Sequence, residues 1–256
     1  MSDTATRVHV AATRLVAAWR GAAPVPSAAL DLRGADDATA VQGAIWHALD
    51  DAGTVPGGWK VGAPGPDVEA TCAPLPHCCL AACGATISGA GVRRRGVELE
   101  LALRVGRPVD AATAADPRAL ALCFDEAYSA IEVVESRLED WETAPALAKL
   151  ADLQSHHALV LGAGVSLAEG LPDLRTLRAA LWFDERPVAQ TVGGNRAQNL
   201  PRLLGVLARH VLAVGLTLQP GQIVTTGTCT GLLFAAAGAR VRGGVDALPA
   251  VSLQFG

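Results

Sequence analysis

Between Val97 and Val105 every odd position is aliphatic, while the even positions read Glu98, Glu100, Ala102 and Arg104. Side chains alternate across a strand, so this spacing predicts an amphipathic β-strand with two carboxylates side by side on one face. Upstream the period changes. Val8, Val10, Ala11, Leu15, Val16 and Trp19 recur at mixed three- and four-residue intervals, which predicts a helix over residues 3–20. Asp36 and Asp37 precede a second helical run carrying Val41, Ile45, Trp46 and Leu49, with Gly53 where a C-cap belongs. After "TVPGG" the chain turns to short β-like runs divided by Gly and Pro: "WKVG", "VELELALRV", "SAIEVVES", "HALVLG", "AALWF", "QIVTTG" and "VSLQF". Further helices are predicted near 117–127, entered by a loop in "AATAADPRALAL", and over 199–215, capped by Asn199 and closed by Gly215. The strands are spaced too irregularly for a βα alternation, so the expected class is α+β. The only compositional seam lies near residues 53–58, which divides a helical N-terminal region, 1–54, from a β-rich domain, 55–256.

Composition narrows the function classes. The 256 residues are 50% hydrophobic, enough for a sizeable core. Net charge is only -4, and the basic run Arg93-Arg94-Arg95 has no aromatic neighbours, so nucleic acid is not an expected partner. No apolar segment reaches the roughly 18 residues of a membrane span, and the charged N-terminus does not read as a secretory leader, so a cytoplasmic protein is expected. Four of the six cysteines lie with His77 in "TCAPLPHCCLAACG". They lack paired C-x-x-C spacing and read as small buried hydrophobes rather than zinc ligands.

On the residues alone the Glu98–Glu100 pair is open to two readings, a solvated outer face or part of a ligand set that needs a third acid. "AIEVVESRLEDW", residues 130–141, supplies acids in a second β-branched run. Glu132 shares a face with Ala130 and Val134, a costly place for a lone charge, and either Arg137 or a cation would serve it; Glu135 lies on the opposite face. Three carboxylates plus water make a hard oxygen site suited to Mg²⁺ or Mn²⁺. Lysine is scarce, with only Lys60 and Lys149 in the chain. Lys60 stands in "GGWKVG", and a lysine, unlike an arginine, can give up its proton. "IVTTGTCTG" ends a β-run in hydroxyls and glycines, so Thr226, Thr228 and nearby N–H groups can meet an anion, or simply build a turn. His156 and His157, at a strand entry, read as structural or exposed rather than catalytic.

Taken in order, "GWKVG", "VELELAL", "AIEVVESRLEDW", "ADLQSHHALVLG" and "LQPGQIVTTG" resemble the fumarylacetoacetate hydrolase superfamily, in its branch of 2-keto-4-pentenoate hydratases and 4-oxalocrotonate decarboxylases. The resemblance implies a mixed, curved β-roll following a small helical N-terminal region, and a homo-oligomer, in some members associated with another pathway enzyme. It implies Glu98, Glu100 and Glu132 as ligands of one Mg²⁺ or Mn²⁺, Glu135 in the place of the family's aspartate, and Lys60 as the catalytic lysine. Thr226 and Thr228 are the substrate-binding candidates. The implied activity is hydration of a 2-hydroxy-2,4-dienoate in aromatic catabolism, with a small 2-oxo acid as substrate. Decarboxylation of a 4-oxalocrotonate-like acid, C–C hydrolysis of an acylpyruvate and a non-catalytic assembly role are the alternatives. The chain departs from the family's pattern at "APGPDVEATCAPLPHCCL", and at "ADLQSHH", where A-D-N-A-S-x-G is usual.

Overall fold

Two helices, α1 (Asp3–Trp19) and α2 (Ala35–Leu49), open the chain in a computed structural model that describes residues 3–50, 55–89 and 91–256. Four short strands follow: β1 (Gly58–Gly62), β2 (Thr71–Leu75), β3 (Leu80–Ala82) and β4 (Ala85–Ile87). The long β5 (Gly96–Val105) leads through α3 (Ala111–Ala115) and α4 (Pro117–Ala121) to β6 (Phe124–Val134). Next come α5 (Ala146–Ala151), β7 (His156–Leu161), β8 (Val165–Ser166), β9 (Arg178–Phe183), β10 (Arg186–Val192) and α6 (Leu200–Ala213). The chain closes with β11 (Ile223–Thr228), β12 (Leu233–Phe234), β13 (Arg240–Val245) and β14 (Val251–Phe255).

Among the described residues the strands form two sheets, the larger ordered β2-β1-β11-β5-β6-β7-β3 and the smaller β10-β9-β13-β14-β4. Both are mixed, because β1–β11, β3–β7 and β4–β14 run parallel and the rest antiparallel. Register shifts at Thr225/Thr228, Arg104/Val105 and Val133/Val134 interrupt three ladders in the middle of the large sheet. Such bulges bend and twist a strand, and here they curl the sheet. The odd positions of β5 lie in the core between the sheets, and Val97, Leu99, Leu101, Leu103 and Val105 are all fully buried. The expected α+β class with a curved β-roll and a small helical N-terminal region is what the chain adopts.

Several local expectations change. The run predicted as a helix near 117–127 stops at Ala121, and Phe124 already belongs to β6. Residues 111–115, read as loop, form α3, because Asp110 accepts the Thr113 N–H as an N-cap. Val10 of the α1 pattern faces solvent, whereas Ala11, Ala12, Leu15 and Val16 are buried. The Gly53 cap lies outside the described residues, as do residues adjoining the boundary at 54/55. Of the cysteines, Cys72, Cys79, Cys123 and Cys229 are buried, but Cys78 and Cys83 are exposed, since their short segments run along the surface.

A second core joins α1 and α2 to Leu138, Ala144, Ala148, Ala151 and Leu153, so the N-terminal helices pack directly against α5 and the turn that follows it. Arg137 crosses this junction. Its Nε donates to Asp152 Oδ1 at 2.5 Å, its two terminal nitrogens donate to the His156 and Asp152 carbonyls at 2.7 and 2.8 Å, and the guanidinium lies 4.3 Å from the Trp19 ring centroid. The sequence offered Arg137 to Glu132; the structure gives it to Asp152. Glu135 instead accepts the backbone N–H groups of Arg93 and Arg94 at 2.6 and 2.5 Å and pairs with the Arg94 side chain at 3.3 Å. Arg137→Met leaves the Asp152 carboxylate buried without its cation, and is expected to cost about 3–5 kcal/mol in urea unfolding. A loss below about 1 kcal/mol, typical of an exposed pair, contradicts this role.

Candidate active site

The antiparallel register of β5 and β6 sets Glu98 directly opposite Glu132, with Glu100 two residues along on the same face. One carboxylate oxygen from each lies within 4.8 Å of those of the other two, and Glu100 and Glu132 are buried while Glu98 is partly so. Lys60 enters from β1, where it is registered with Thr225 of β11, and its ammonium donates to Glu132 Oε1 and, at 3.4 Å, to the Gln154 carbonyl. His156 stands 2.9 Å from the same Glu132 oxygen through Nδ1 and is wholly buried. It therefore borders the acidic cluster, a buried position that the reading as structural or exposed left open; His157, next in the chain, turns away to stack on Trp19 at 5.6 Å between ring centroids.

The electrostatics separate the three acids. Burial pushes the Glu98 carboxyl up to about 7, helped by the Glu132 charge. Burial also raises Glu100 well above the carboxylate range, with Glu132 and Glu98 adding to the effect. Burial opposes ionisation of Glu132 too, but Lys60 and His156 outweigh it and hold this carboxyl down at about 2. Burial disfavours the charged form of Lys60, yet the surrounding carboxylates prevail and raise its pKa. One ammonium thus compensates one acid, leaving two carboxyls that a cation would have to stabilise as carboxylates. Glu132 Oε2 is buried without a hydrogen-bond partner. An orphan oxygen, a compact set of three hard donors and uncompensated acidity together fit a divalent ion such as Mg²⁺ or Mn²⁺.

These groups line a cavity of about 450 Å³. The end of β11 contributes differently from the sequence expectation. Thr228 lines the cavity, but Thr226 is fully buried, with its hydroxyl donating to the Leu101 carbonyl at 2.8 Å. The bulge between Thr225 and Thr228, with Gly227 at φ +91°, breaks the alternation that paired Thr226 with Thr228. Thr225 takes the cavity position, and the Gly227 N–H donates to Glu100 Oε2 at 3.1 Å. The wall opposite the sheet comes from α5 and the turn after it, where Leu153, Gln154 and Ser155 all adopt left-handed φ values of 49°, 55° and 60°. Non-glycine residues pay about 1–2 kcal/mol each for that conformation. Here it turns the Gln154 carbonyl to Lys60 and the Ser155 hydroxyl to Trp141 Nε1, at 2.8 Å. The family's asparagine at the place of Leu153 would tolerate this geometry better than leucine does.

Residues 68–255 match the fumarylacetoacetate (FAA) hydrolase C-terminal family. The chain belongs to the fumarylacetoacetate hydrolase family. Among solved structures it is similar to 4-oxalocrotonate decarboxylase from Pseudomonas putida G7 complexed with magnesium and adipate, at TM-score 0.87 and 20% identity over 100% of this chain and 99% of that one. The same decarboxylase complexed with calcium and acetate gives TM-score 0.85 and 21% identity over the same shares, 100% and 99%. A putative fumarylpyruvate hydrolase from Burkholderia cenocepacia gives 0.61 and 19%, covering 77% of this chain and 84% of its own. No curated protein matches by sequence. No helix among the described residues is long and apolar enough to cross a membrane.

Sequence reasoning missed His156, Thr225 and the cavity position of Lys149 on α5. Signals existed for two of them. The histidines replaced small residues of the family pattern, and Lys149 was the only other lysine.

Glu100→Gln keeps the volume and the acceptor for Gly227 N–H while removing a carboxyl whose ionised form burial and the neighbouring acids disfavour. The metal-free variant is expected to melt above the parent. With Mg²⁺ at about a hundred times its Kd, the parent gains about 2.7 kcal/mol and the variant almost none, read as the Mg²⁺-dependent shift in Tm. An unchanged shift in the variant overturns the metal assignment.

Proposed function

We propose that the chain is a divalent-metal-dependent lyase of 2-oxo acids from aromatic catabolism, and that it decarboxylates a 2-oxohex-3-enedioate. The observation that carries this reading is the convergence of Glu98, Glu100 and Glu132 with Lys60 at one end of a cavity large enough for a six-carbon acid. Likeness over the whole chain to a decarboxylase favours this reaction over the dienoate hydration that the sequence put first. Decarboxylation and hydration have one compound in common, since 2-hydroxypenta-2,4-dienoate is the product of the first and the substrate of the second.

Glu98, Glu100 and Glu132 would hold a Mg²⁺ or Mn²⁺ ion, which would supply Lewis acidity toward a 2-oxo group. In the decarboxylation the C5–C6 bond breaks and CO₂ leaves. Its electron pair forms C4=C5, the C3=C4 pair moves to C2=C3, and the 2-oxo oxygen takes up the charge and then a proton. Lys60 holds that proton at Nζ beside the glutamates, and it orients the anionic end of the substrate. Thr225, Thr228 and the Gln154 amide line the cavity and bind the remaining polar atoms. His156, through Nδ1, fixes one oxygen of Glu132 and so leaves the other to face the centre.

The purified protein with Mg²⁺ is expected to release CO₂ from 2-oxohex-3-enedioate, to stop after exhaustive chelation with EDTA, and to recover on adding Mg²⁺ back. Lys60→Met is expected to lower kcat by about 10²–10⁴ while the Mg²⁺-dependent Tm shift persists. Full turnover after chelation refutes the metal role, and hydration of 2-hydroxypenta-2,4-dienoate without CO₂ release from the diacid refutes the decarboxylase assignment.

A further inference from the structure

The chain contains two lysines, and both line the same cavity. Their surroundings differ. Lys60 is paired with Glu132 at the acidic end. Lys149 Nζ reaches only the Glu142 carbonyl, at the long distance of 3.5 Å, and the face of Trp141, 5.5 Å from the ring centroid. It joins no ion pair among the described residues, and the neighbouring carboxylates are otherwise engaged. Glu135 is held by Arg94, and the Glu142 carboxylate lies 3.6 Å from the same guanidinium.

Lys149 belongs to a face of α5 that is turned to the cavity. Ala146, Lys149 and Leu150 all line it, the three- and four-residue spacing that shares one side of a helix. Besides this wall and the glutamates, the lining includes apolar Val134 and Leu232. The cavity lining therefore combines an acidic, metal-fitting cluster, apolar side chains and a second cation without a counter-charge among the described residues. That combination complements an acid with a carboxylate at each end of a short hydrocarbon chain.

We propose that Lys149 recognises the second carboxylate of a dicarboxylic 2-oxo acid, so that the cavity selects dicarboxylates over monocarboxylates of equal length. The inference rests on the 2-oxo acid reading above and adds the residue that chooses between substrate classes. Lys149 is a specificity-determining group that acts through binding. The charges that act on Glu98 are those of Glu132 and Lys60, not Lys149, and replacing Lys149 is expected to leave the metal site intact.

The test is calorimetric titration of the Mg²⁺-loaded protein with two unreactive probes, 2-oxoadipate and 2-oxohexanoate. The parent is expected to bind 2-oxoadipate about tenfold or more tightly than 2-oxohexanoate, the scale of one hydrogen-bonded charge. Lys149→Gln is expected to reduce that ratio to near one by weakening 2-oxoadipate alone, Lys149→Arg to retain most of it, and both variants to keep the Mg²⁺-dependent Tm shift. An unchanged ratio in Lys149→Gln, or equal binding of the two acids by the parent, overturns the role of Lys149 and leaves the 2-oxo acid reading standing. Failure of the parent to bind either probe overturns that reading, and this inference falls with it.

Discussion

The contact between Lys60 and Glu132 sets the geometry of the whole site. Lys60 is on β1 and Glu132 on β6, with β11 and β5 between them. In a flat sheet three strand spacings would separate them by roughly 14 Å, beyond the reach of a lysine's four-carbon stem. The ion pair exists because the large sheet curls, and the sheet curls where its ladders slip, at Thr225/Thr228 and on β5 and β6. Close strand approach is part of the same device. A Cβ on Gly58 would stand 2.1 Å from the Ile223 carbonyl, so β1 can lie along β11 only with glycine there.

The curl also concentrates charge that the protein alone does not neutralise. Glu98 and Glu100 keep raised pKa values because burial removes water and Glu132 holds its own charge beside them. A left-handed turn of three non-glycine residues forms the adjoining wall. Strain and repulsion of this kind persist only where surrounding structure is rigid enough to hold them. Arg137 supplies that rigidity, bonding to both the side chain and the carbonyl of Asp152, immediately before the turn, and to the carbonyl of His156, immediately after it. Two buried ionic systems therefore do opposite jobs: Arg137–Asp152 is saturated and structural, while the glutamates are left short of positive charge.

What was legible in the sequence follows the range of the underlying interactions. Period-two alternation told which face of β5 carries Glu98 and Glu100, because that depends only on neighbours in the chain. The same rule failed for Thr226, since one bulge inverts the faces beyond it and nothing local announces the bulge. Asp152 as the partner of Arg137 was invisible for a different reason, as a carboxylate 15 residues away enters the contact only through the turn between α5 and β7. The place of His156 beside the acids was not legible because a histidine at a strand entry has no fixed destination until the strand pairs, and β7 pairs with β6 so that His156 meets Val134, within reach of Glu132. The helix predicted through residue 127 failed because alanine-rich "PRALAL" favours helix locally, while Phe124 and the residues after it pair with β5.

The N-terminal helices, finally, are bound up with the site. The family match begins at residue 68, so α1 and α2 lie outside the matched portion. Yet Gln42 of α2 donates to the Leu150 carbonyl at 2.6 Å and to the Cys72 carbonyl at 3.2 Å, joining α5 to β2. Ala148 and Ala151 pack into the same core as Val41 and Ile45. A helix of six residues such as α5 has too few internal hydrogen bonds to persist alone. Its position, and with it the position of Lys149 and Leu150 over the cavity, is fixed by α2. The matched portion places the three glutamates, whereas Lys60 on β1 and the helix α2 that holds the facing wall both precede it. The wall that carries Lys149 thus takes its position from α2, and the acidic centre takes its position from the pairing of β5 with β6.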